Sequence, residues 1–198
     1  GREIPAMVAQ LAGEGHQYHS QLGWGTSLKE HWEPDLPING FSVENAHDAH
    51  RPAQEALLSG DYDAVVLTEM VELRDALSYH DSPRYLARWA ELAWDANPDA
   101  RVYVYETWHH TNDKDGWRSR LELDFPSLWL EQLLFPALSQ TNSAIHVIPA
   151  GQVMGAFADA LSVRGGVEGI KQVQDLFVLK EDGTRDTIHV NDLGSYLV

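Results

Sequence analysis

The sequence predicts an α/β fold in which a parallel β-sheet carries helices on both faces. Short, apolar runs rich in β-branched residues recur at Ala64–Leu67, Val102–Tyr105 and Ile145–Ile148. Such runs are typical of strands that are buried on both sides. Helical patterns separate them, and strands that alternate with helices usually pair in parallel. These two observations define the fold class.

The first sixty residues predict a helix, a strand, a turn and a second long helix. Apolar residues at helical spacing between Ile4 and Leu11 predict the first helix. His16–Leu22 is predicted as a strand, and it leads into the glycine-bearing turn Gly23–Leu28. A turn of this kind can expose backbone N–H groups to a ligand. Ser42 is then a suitable N-cap for a helix over Val43–Ser59.

The remaining elements follow from start and stop signals. Asp81, Ser82 and Pro83 form a strong helix start. Further helices are predicted over Trp117–Leu123, Pro126–Leu138 and Gln152–Val163, the last with Val153, Phe157 and Leu161 inward, and a small strand over Leu176–Leu179. No repeat or linker interrupts this order, so a single domain over residues 1–198 is expected.

Composition excludes several classes of function. The 198 residues carry a net charge of −16, from 14 basic and 30 acidic residues. Such a charge opposes binding to nucleic acid or to an anionic membrane surface. The chain has no cysteine, which removes disulfides and thiol nucleophiles. No apolar run is long enough to cross a membrane, so membrane insertion is not expected, and no cofactor motif was found.

The last thirteen residues contain the strongest candidate for chemistry. Asp186 and His189 stand three positions apart, in a predicted loop just ahead of a helix that Asn191 can cap. A carboxylate that accepts a hydrogen bond from one imidazole nitrogen leaves the other nitrogen free as a general base. The pair is therefore predicted to be catalytic.

More polar residues follow the predicted strands. In parallel α/β sheets, ligands bind at the carboxyl ends of the strands. The residues that are expected to gather at this edge and to contact a ligand are Gly25, Ser27, Thr68, Glu69, Glu106 and Trp108.

At this point the sequence resembles the SGNH (GDSL-type) hydrolases. Their last motif is Asp-x-x-His ahead of a final helix, and the resemblance implies that Asp186 orients the ring and that His189 is the base. The turn around Gly25 resembles their second motif, which implies that the Gly25 N–H helps to form the oxyanion hole. The helix with Ile4-Pro5-Ala6-Met7 resembles the one that follows their nucleophile. The implied fold is a three-layer α/β/α sandwich with a flavodoxin-like sheet.

The chain departs from the family pattern in two places. The serine nucleophile of the family would fall ahead of Gly1, so the domain is expected to lack its first strand, and the end of its last helix as well. Where the third motif brings glycine and asparagine, this chain has Leu67-Thr68-Glu69-Met70. The Glu106–Trp108 segment could take over part of that lining.

The resemblance implies hydrolysis of a carboxylic ester by a Ser-His-Asp triad. The acidic surface disfavours polyanionic substrates, and the aromatic loops favour small acyl or acetyl esters and acylated carbohydrates. Relatives of this kind are often exported, which favours a periplasmic or extracellular location. Oligomeric state is not indicated.

Three alternatives remain open. Glu69 and Glu106 each end a predicted strand and could be the paired carboxylates of a glycosidase. The same fold without its nucleophile could be a binding domain, because Ser20 lies in a strand and Ser27 follows the donor turn. The histidine pairs suggest a metal site less strongly, since ten histidines produce neighbours by chance; these pairs are His16 with His19, His47 with His50, and His109 with His110 beside Asp113.

Overall fold

A three-stranded parallel sheet in the order β1-β2-β3 confirms the α/β class. The strands are β1 (Ala64–Leu67), β2 (Arg101–Glu106) and β3 (Ile145–Pro149), each where the sequence predicted a buried strand. β1 and β2 are in register, with Val65 opposite Val102 and Leu67 opposite Val104.

The computed structural model describes residues 3–198, and the chain divides into two compact units. The sheet unit comprises Tyr18–Glu106 and Asp124–Ile148. The terminal unit comprises Gly1–Gln17, Thr107–Leu123 and Pro149–Val198.

Three helices of the sheet unit precede β1, two lie between β1 and β2, and a π-helix and one α-helix lie between β2 and β3. They are α2 (Leu28–Trp32), α3 (Phe41–Glu44), α4 (Ala53–Leu58), α5 (Leu73–Tyr79), α6 (Ser82–Ala96), a π-helix (Phe125–Leu134) and α8 (Phe135–Leu138). α6 begins at the predicted start and places Leu86, Trp89 and Ala93 on one buried face. Its start follows from Pro83, whose missing N–H costs nothing in a first turn.

The core of the sheet unit lies between one face of the sheet and these helices. Val65, Val102 and Val104 belong to the same buried cluster as Leu86 and Trp89. The Trp89 indole N–H donates to the Leu28 carbonyl at 3.0 Å, which satisfies the one polar atom of a buried tryptophan. On the opposite face of β1, Val66 is 56% exposed.

The terminal unit contains the remaining elements. They are α1 (Glu3–Ala12), α7 (Trp117–Asp124), α9 (Ala150–Arg164), a 3₁₀ turn (Val173–Leu176), β4 (Phe177–Leu179), β5 (Arg185–Val190) and α10 (Asp192–Leu197). β4 and β5 form a two-stranded antiparallel sheet. None of the described helices is long and apolar enough to cross a bilayer.

Two predictions for the first sixty residues were wrong. His16–Leu22 is not a strand and contributes only one bridge, between Ser20 and His50. The backbone of Leu22 is bonded by a side chain instead: its N–H donates to Asn45 Oδ1 at 2.9 Å, and its carbonyl accepts from Asn45 Nδ2 at 2.8 Å. Asn45 itself lies outside the helical conformation and follows the end of α3. The single helix predicted over Val43–Ser59 is therefore replaced by two short helices, α3 and α4.

The later helices also differ in detail from the prediction. α7, the π-helix and α8 follow one another without a break, and the Phe135 N–H bonds the Leu130 carbonyl five residues back. α5 was not predicted. In α9, Leu161 is buried as expected, whereas Val153 is 39% exposed and Met154 takes the inward position.

The core assignment predicts unequal effects for two leucines of the sheet unit. Leu86 is fully buried, so Leu86→Ala should lower the free energy of unfolding by about 2–5 kcal/mol, through lost transfer energy and a residual cavity. Leu58 is 63% exposed, and Leu58→Ala should change it by no more than about 0.5 kcal/mol. Urea unfolding of both variants measures this; equal losses would contradict the core described above.

Candidate functional site

Asp186 and His189 lie in an outward bulge of β5, where a loop had been predicted. Phe177 pairs with Val190 and Leu179 with Arg185, so β4 advances two residues while β5 advances five. The three extra residues cannot join the ladder. Bulges of this kind turn side chains out of the regular alternation of a strand. In a regular strand, the side chains of residues three apart point to opposite faces. The bulge removes this alternation, so the side chains of Asp186 and His189 can meet.

The Asp186 carboxylate organises this bulge. Its Oδ1 accepts the backbone N–H of Ile188 at 2.8 Å and that of His189 at 2.9 Å. Its Oδ2 lies 3.2 Å from His189 Nδ1 and 3.6 Å from the Lys180 ammonium. Both oxygens are thus engaged, one by the backbone and the other by the ring. We refer to Asp186 and His189 as the dyad.

The surroundings keep Asp186 ionised. Burial by itself would raise the pKa of Asp186, but the N–H donors of His189 and Ile188, together with the imidazole, outweigh it and hold this pKa well below the usual range. The Lys180 side chain is half exposed, so its ion pair with Asp186 is a minor contribution. A permanent carboxylate can only accept hydrogen bonds.

This geometry determines the tautomer of the neutral imidazole. Because Asp186 accepts, His189 Nδ1 must carry the proton, and Nε2 is left with its lone pair free. The His189 side chain is 75% exposed, and its Nε2 has no hydrogen bond within residues 3–198. The arrangement can therefore abstract a proton from a hydroxyl that approaches Nε2.

The helix after the dyad begins as predicted. Asn191 Oδ1 accepts the Gly194 N–H at 3.1 Å, which caps α10, and Asn191 Nδ2 donates to the Asp175 carbonyl at 2.8 Å. A Cβ at residue 194 would collide with the Leu176 carbonyl oxygen and with Val190. Gly194 therefore lets α10 pack closely on the strand that carries the dyad.

Several N–H groups of the glycine turn already have hydrogen-bond partners within the chain. The Ser27 N–H donates to Glu30 Oε2 at 2.8 Å, and the Leu28 N–H donates to Glu69 Oε1 at 3.2 Å. Gly25 is exposed and left-handed, with φ 54°, and no described residue bonds its N–H. Of the donors that the sequence predicted here, Gly25 is the one that remains open to a ligand.

Ser27 and Thr68 have structural roles. Ser27 is fully buried and forms a capping box with Glu30 at the start of α2, and its Oγ also lies 3.0 Å from His80 Nδ1. It is not accessible to a substrate. Thr68 Oγ1 donates to the Tyr105 carbonyl at 3.0 Å and links the ends of β1 and β2.

Glu69 and Glu106 are buried rather than exposed at a cleft. Glu69 is 3% exposed, and its Oε1 accepts the Leu28 N–H and, at 2.9 Å, the Met70 N–H. Burial raises the pKa of Glu69, against the opposing effects of the Met70 N–H, the Ser82 hydroxyl and the nearby His80. Glu106 is 1% exposed. A glycosidase needs both carboxyl groups in contact with the sugar, which this burial disfavours.

Trp108 is also buried, and its indole N–H donates to the Ile188 carbonyl at 2.9 Å, inside the bulge. It contacts the backbone between Asp186 and His189 instead of lining a cleft.

The histidine pairs do not assemble a metal site in the part of the chain that the structure describes. His50 stacks edge-on against Phe41, and neither it nor His47 lies on a helix, contrary to the prediction. His109 is buried, while His110 Nδ1 lies 2.8 Å from Thr187 Oγ1.

Sequence reasoning missed polar contacts of two kinds: one that has a recognisable local pattern, and others that have none. The Ser27–Glu30 capping box has a readable signature, serine followed three residues later by glutamate ahead of a helix. His80, Ser82 and Lys180 gave no such signal. Neither did the contact between His110 and Thr187, because its partners are 77 residues apart.

Comparisons with known proteins add no assignment. No protein-family model, curated protein or solved structure matches the chain.

The buried Glu69 predicts a pH-dependent stability. Because its folded pKa is raised, its contribution to the free energy of unfolding is fully present below the unfolded pKa of about 4.3 and is lost as pH rises through the folded pKa. Glu69→Gln keeps an acceptor for both N–H groups and does not titrate. The stability of this variant relative to the wild type should therefore rise as the pH increases above about 4.3.

Urea unfolding at several pH values measures this difference. Glu131→Gln, an exposed change of the same kind in the sheet unit, should follow the wild type across the series. Parallel curves for wild type and Glu69→Gln would show that Glu69 is not the buried acid described here.

Proposed function

We propose that the protein is a serine-dependent hydrolase of carboxylic esters, with His189 as general base and Asp186 as the residue that orients it. The observation that carries this proposal is the dyad itself. An ionised carboxylate accepts from Nδ1, and the other nitrogen of an exposed imidazole is left free. The proposal includes a three-layer α/β/α sandwich of the SGNH type as the full fold.

A second observation within the terminal unit supports it. By the resemblance, the serine precedes α1 and the histidine precedes α10. These two helices contact each other in the terminal unit, and the Tyr196 hydroxyl of α10 donates to Gln10 Oε1 of α1 at 2.7 Å. The elements that flank the proposed nucleophile and base are therefore neighbours.

The reaction would proceed in two balanced halves. The serine Oγ attacks the ester carbonyl carbon while Nε2 of His189 takes the hydroxyl proton. The tetrahedral oxyanion collapses, the bond to the alkoxy group breaks, and His189 returns the proton to the departing alcohol. Water then attacks the acyl-enzyme with the same base, which releases the acid and restores the serine. Asp186 stays ionised throughout and stabilises the transient imidazolium.

By the resemblance, the Gly25 N–H is the proposed oxyanion donor. Within the sheet unit Gly25 is exposed, and as a glycine it has no Cβ that would obstruct a ligand at its N–H. Small acyl or acetyl esters and acylated carbohydrates are the proposed substrates. The net charge of −16 disfavours esters that carry several negative charges.

Labelling with a fluorophosphonate tests the triad directly. The protein is used as encoded, including any residues before Gly1. A single serine should be modified, and peptide mapping should place it just ahead of α1. Asp186→Asn preserves an acceptor for the two backbone N–H groups but loses control of the tautomer, and it should slow labelling on the order of a thousandfold or more, as should His189→Ala.

His146→Ala is the matched control, since His146 is an exposed histidine of the sheet unit. It should label at the wild-type rate. A folded, full-length protein that remains unlabelled would refute the triad and would favour the alternative of a binding domain on a hydrolase fold.

A further inference from the structure

The two residues between Asp186 and His189 are held by one segment of the terminal unit. Trp108 Nε1 donates to the Ile188 carbonyl at 2.9 Å, and the Thr111 N–H donates to the Thr187 carbonyl at 2.9 Å. His110 Nδ1 lies 2.8 Å from Thr187 Oγ1. Residues 108–111, which we call the brace, thus make three hydrogen bonds to residues 187 and 188.

The brace bonds the part of β5 that its own ladder leaves free. The bulge gives up pairing with β4 between Arg185 and Val190. Buried or half-buried backbone carbonyls without partners are costly, and the brace supplies donors to those of Thr187 and Ile188. Asp186 meanwhile takes the N–H groups of the same stretch. Asp186 therefore fixes backbone N–H groups of the bulge, and the brace fixes backbone carbonyls.

The segment that follows the brace is bonded to α7. The Arg120 guanidinium of α7 donates to Asp113 Oδ2 at 2.8 Å, with only 5% of the arginine side chain exposed. Asp113 in turn accepts the Asp115 N–H at 2.9 Å. An ion pair shielded from water holds its geometry better than an exposed one, so the segment after the brace is tied to a helix.

We propose that Trp108, His110 and Thr187 are positioning residues that hold the Asp186–His189 bulge in the geometry required for general-base catalysis. This inference rests on the proposed hydrolase function and deepens it. None of the three contacts the reacting atoms. They fix the backbone between acid and base, so that the carboxylate meets Nδ1 and the Nδ1–H tautomer is kept. Misplacement of a reacting group by about 1 Å can cost on the order of a hundredfold in rate.

Two substitutions separate this role from a general effect on stability. Thr187→Val is close in shape and removes the hydroxyl that His110 contacts, whereas Thr187→Ser retains it. Trp108→Phe keeps an aromatic ring and removes the indole donor. Trp94→Phe is its matched control, because Trp94 Nε1 donates to the Ala100 carbonyl at 2.9 Å in the sheet unit, which does not include the dyad.

The first measurement is the tautomer of His189, read from the ¹⁵N chemical shifts of its ring at a pH where the ring is neutral. The wild type, Thr187→Ser and Trp94→Phe should show mainly the Nδ1–H form. Thr187→Val and Trp108→Phe should show an increased share of the Nε2–H form. This measurement needs no activity, so it tests the brace even if no serine is labelled.

The second measurement is the rate of fluorophosphonate labelling. Thr187→Val and Trp108→Phe should lower it by about tenfold to a hundredfold, with Thr187→Ser and Trp94→Phe near the wild type. An unchanged tautomer and an unchanged rate in folded Thr187→Val would overturn the positioning role while leaving the triad intact. A shifted tautomer in a protein that no fluorophosphonate labels would support the brace and refute the hydrolase.

Discussion

The acceptance of two backbone N–H groups by Asp186 is the interaction on which the terminal site depends. A strand that gains three residues against its partner must satisfy their polar groups elsewhere. Asp186 Oδ1 does so for Ile188 and His189, and in doing so it brings its second oxygen to the imidazole. The same contacts that make the bulge stable therefore select the tautomer of the base. Structure and proposed chemistry share one carboxylate.

Asp186 and Glu69 show how environment separates two carboxyl groups of one chain. Burial raises the pKa of each, and Glu69 is the more deeply buried of the two. At Asp186 the N–H groups of His189 and Ile188, together with the imidazole, outweigh burial, so its pKa falls well below the usual range. Glu69 has two amides at one oxygen and no cation in contact, so burial prevails and its pKa rises. Asp186 is thus suited to orient a base, and Glu69 to fill a structural position at the start of α2.

The hydrogen bonds already made by N–H groups of the glycine turn are relevant to the departure from the SGNH pattern. Where the third motif of the family brings glycine and asparagine, this chain has Leu67-Thr68-Glu69-Met70, and the Glu69 carboxylate accepts the Leu28 N–H. A residue in this role does not offer a donor to an oxyanion, which leaves Gly25 as the donor in the proposal. The proposed esterase would then rely on fewer donors than the SGNH hydrolases that the sequence resembles, and such an enzyme is expected to be slower.

The sequence by itself determined the elements and contacts whose causes are local. Three strands were predicted because short apolar runs rich in β-branched residues favour buried strands. Asn191 was predicted as a cap, and the dyad as a pair, because each partner stands three residues away. The tertiary structure decided what depends on distant residues. The Leu22 N–H, in a segment predicted as a strand, donates to the Asn45 side chain. The Leu28 N–H donates to the Glu69 carboxylate, 41 residues away, and the Trp108 indole donates to the Ile188 carbonyl, 80 residues away. Neither periodicity nor spacing predicts these hydrogen bonds. They form because folding buries polar groups that then need a partner, and that partner can be distant in the sequence.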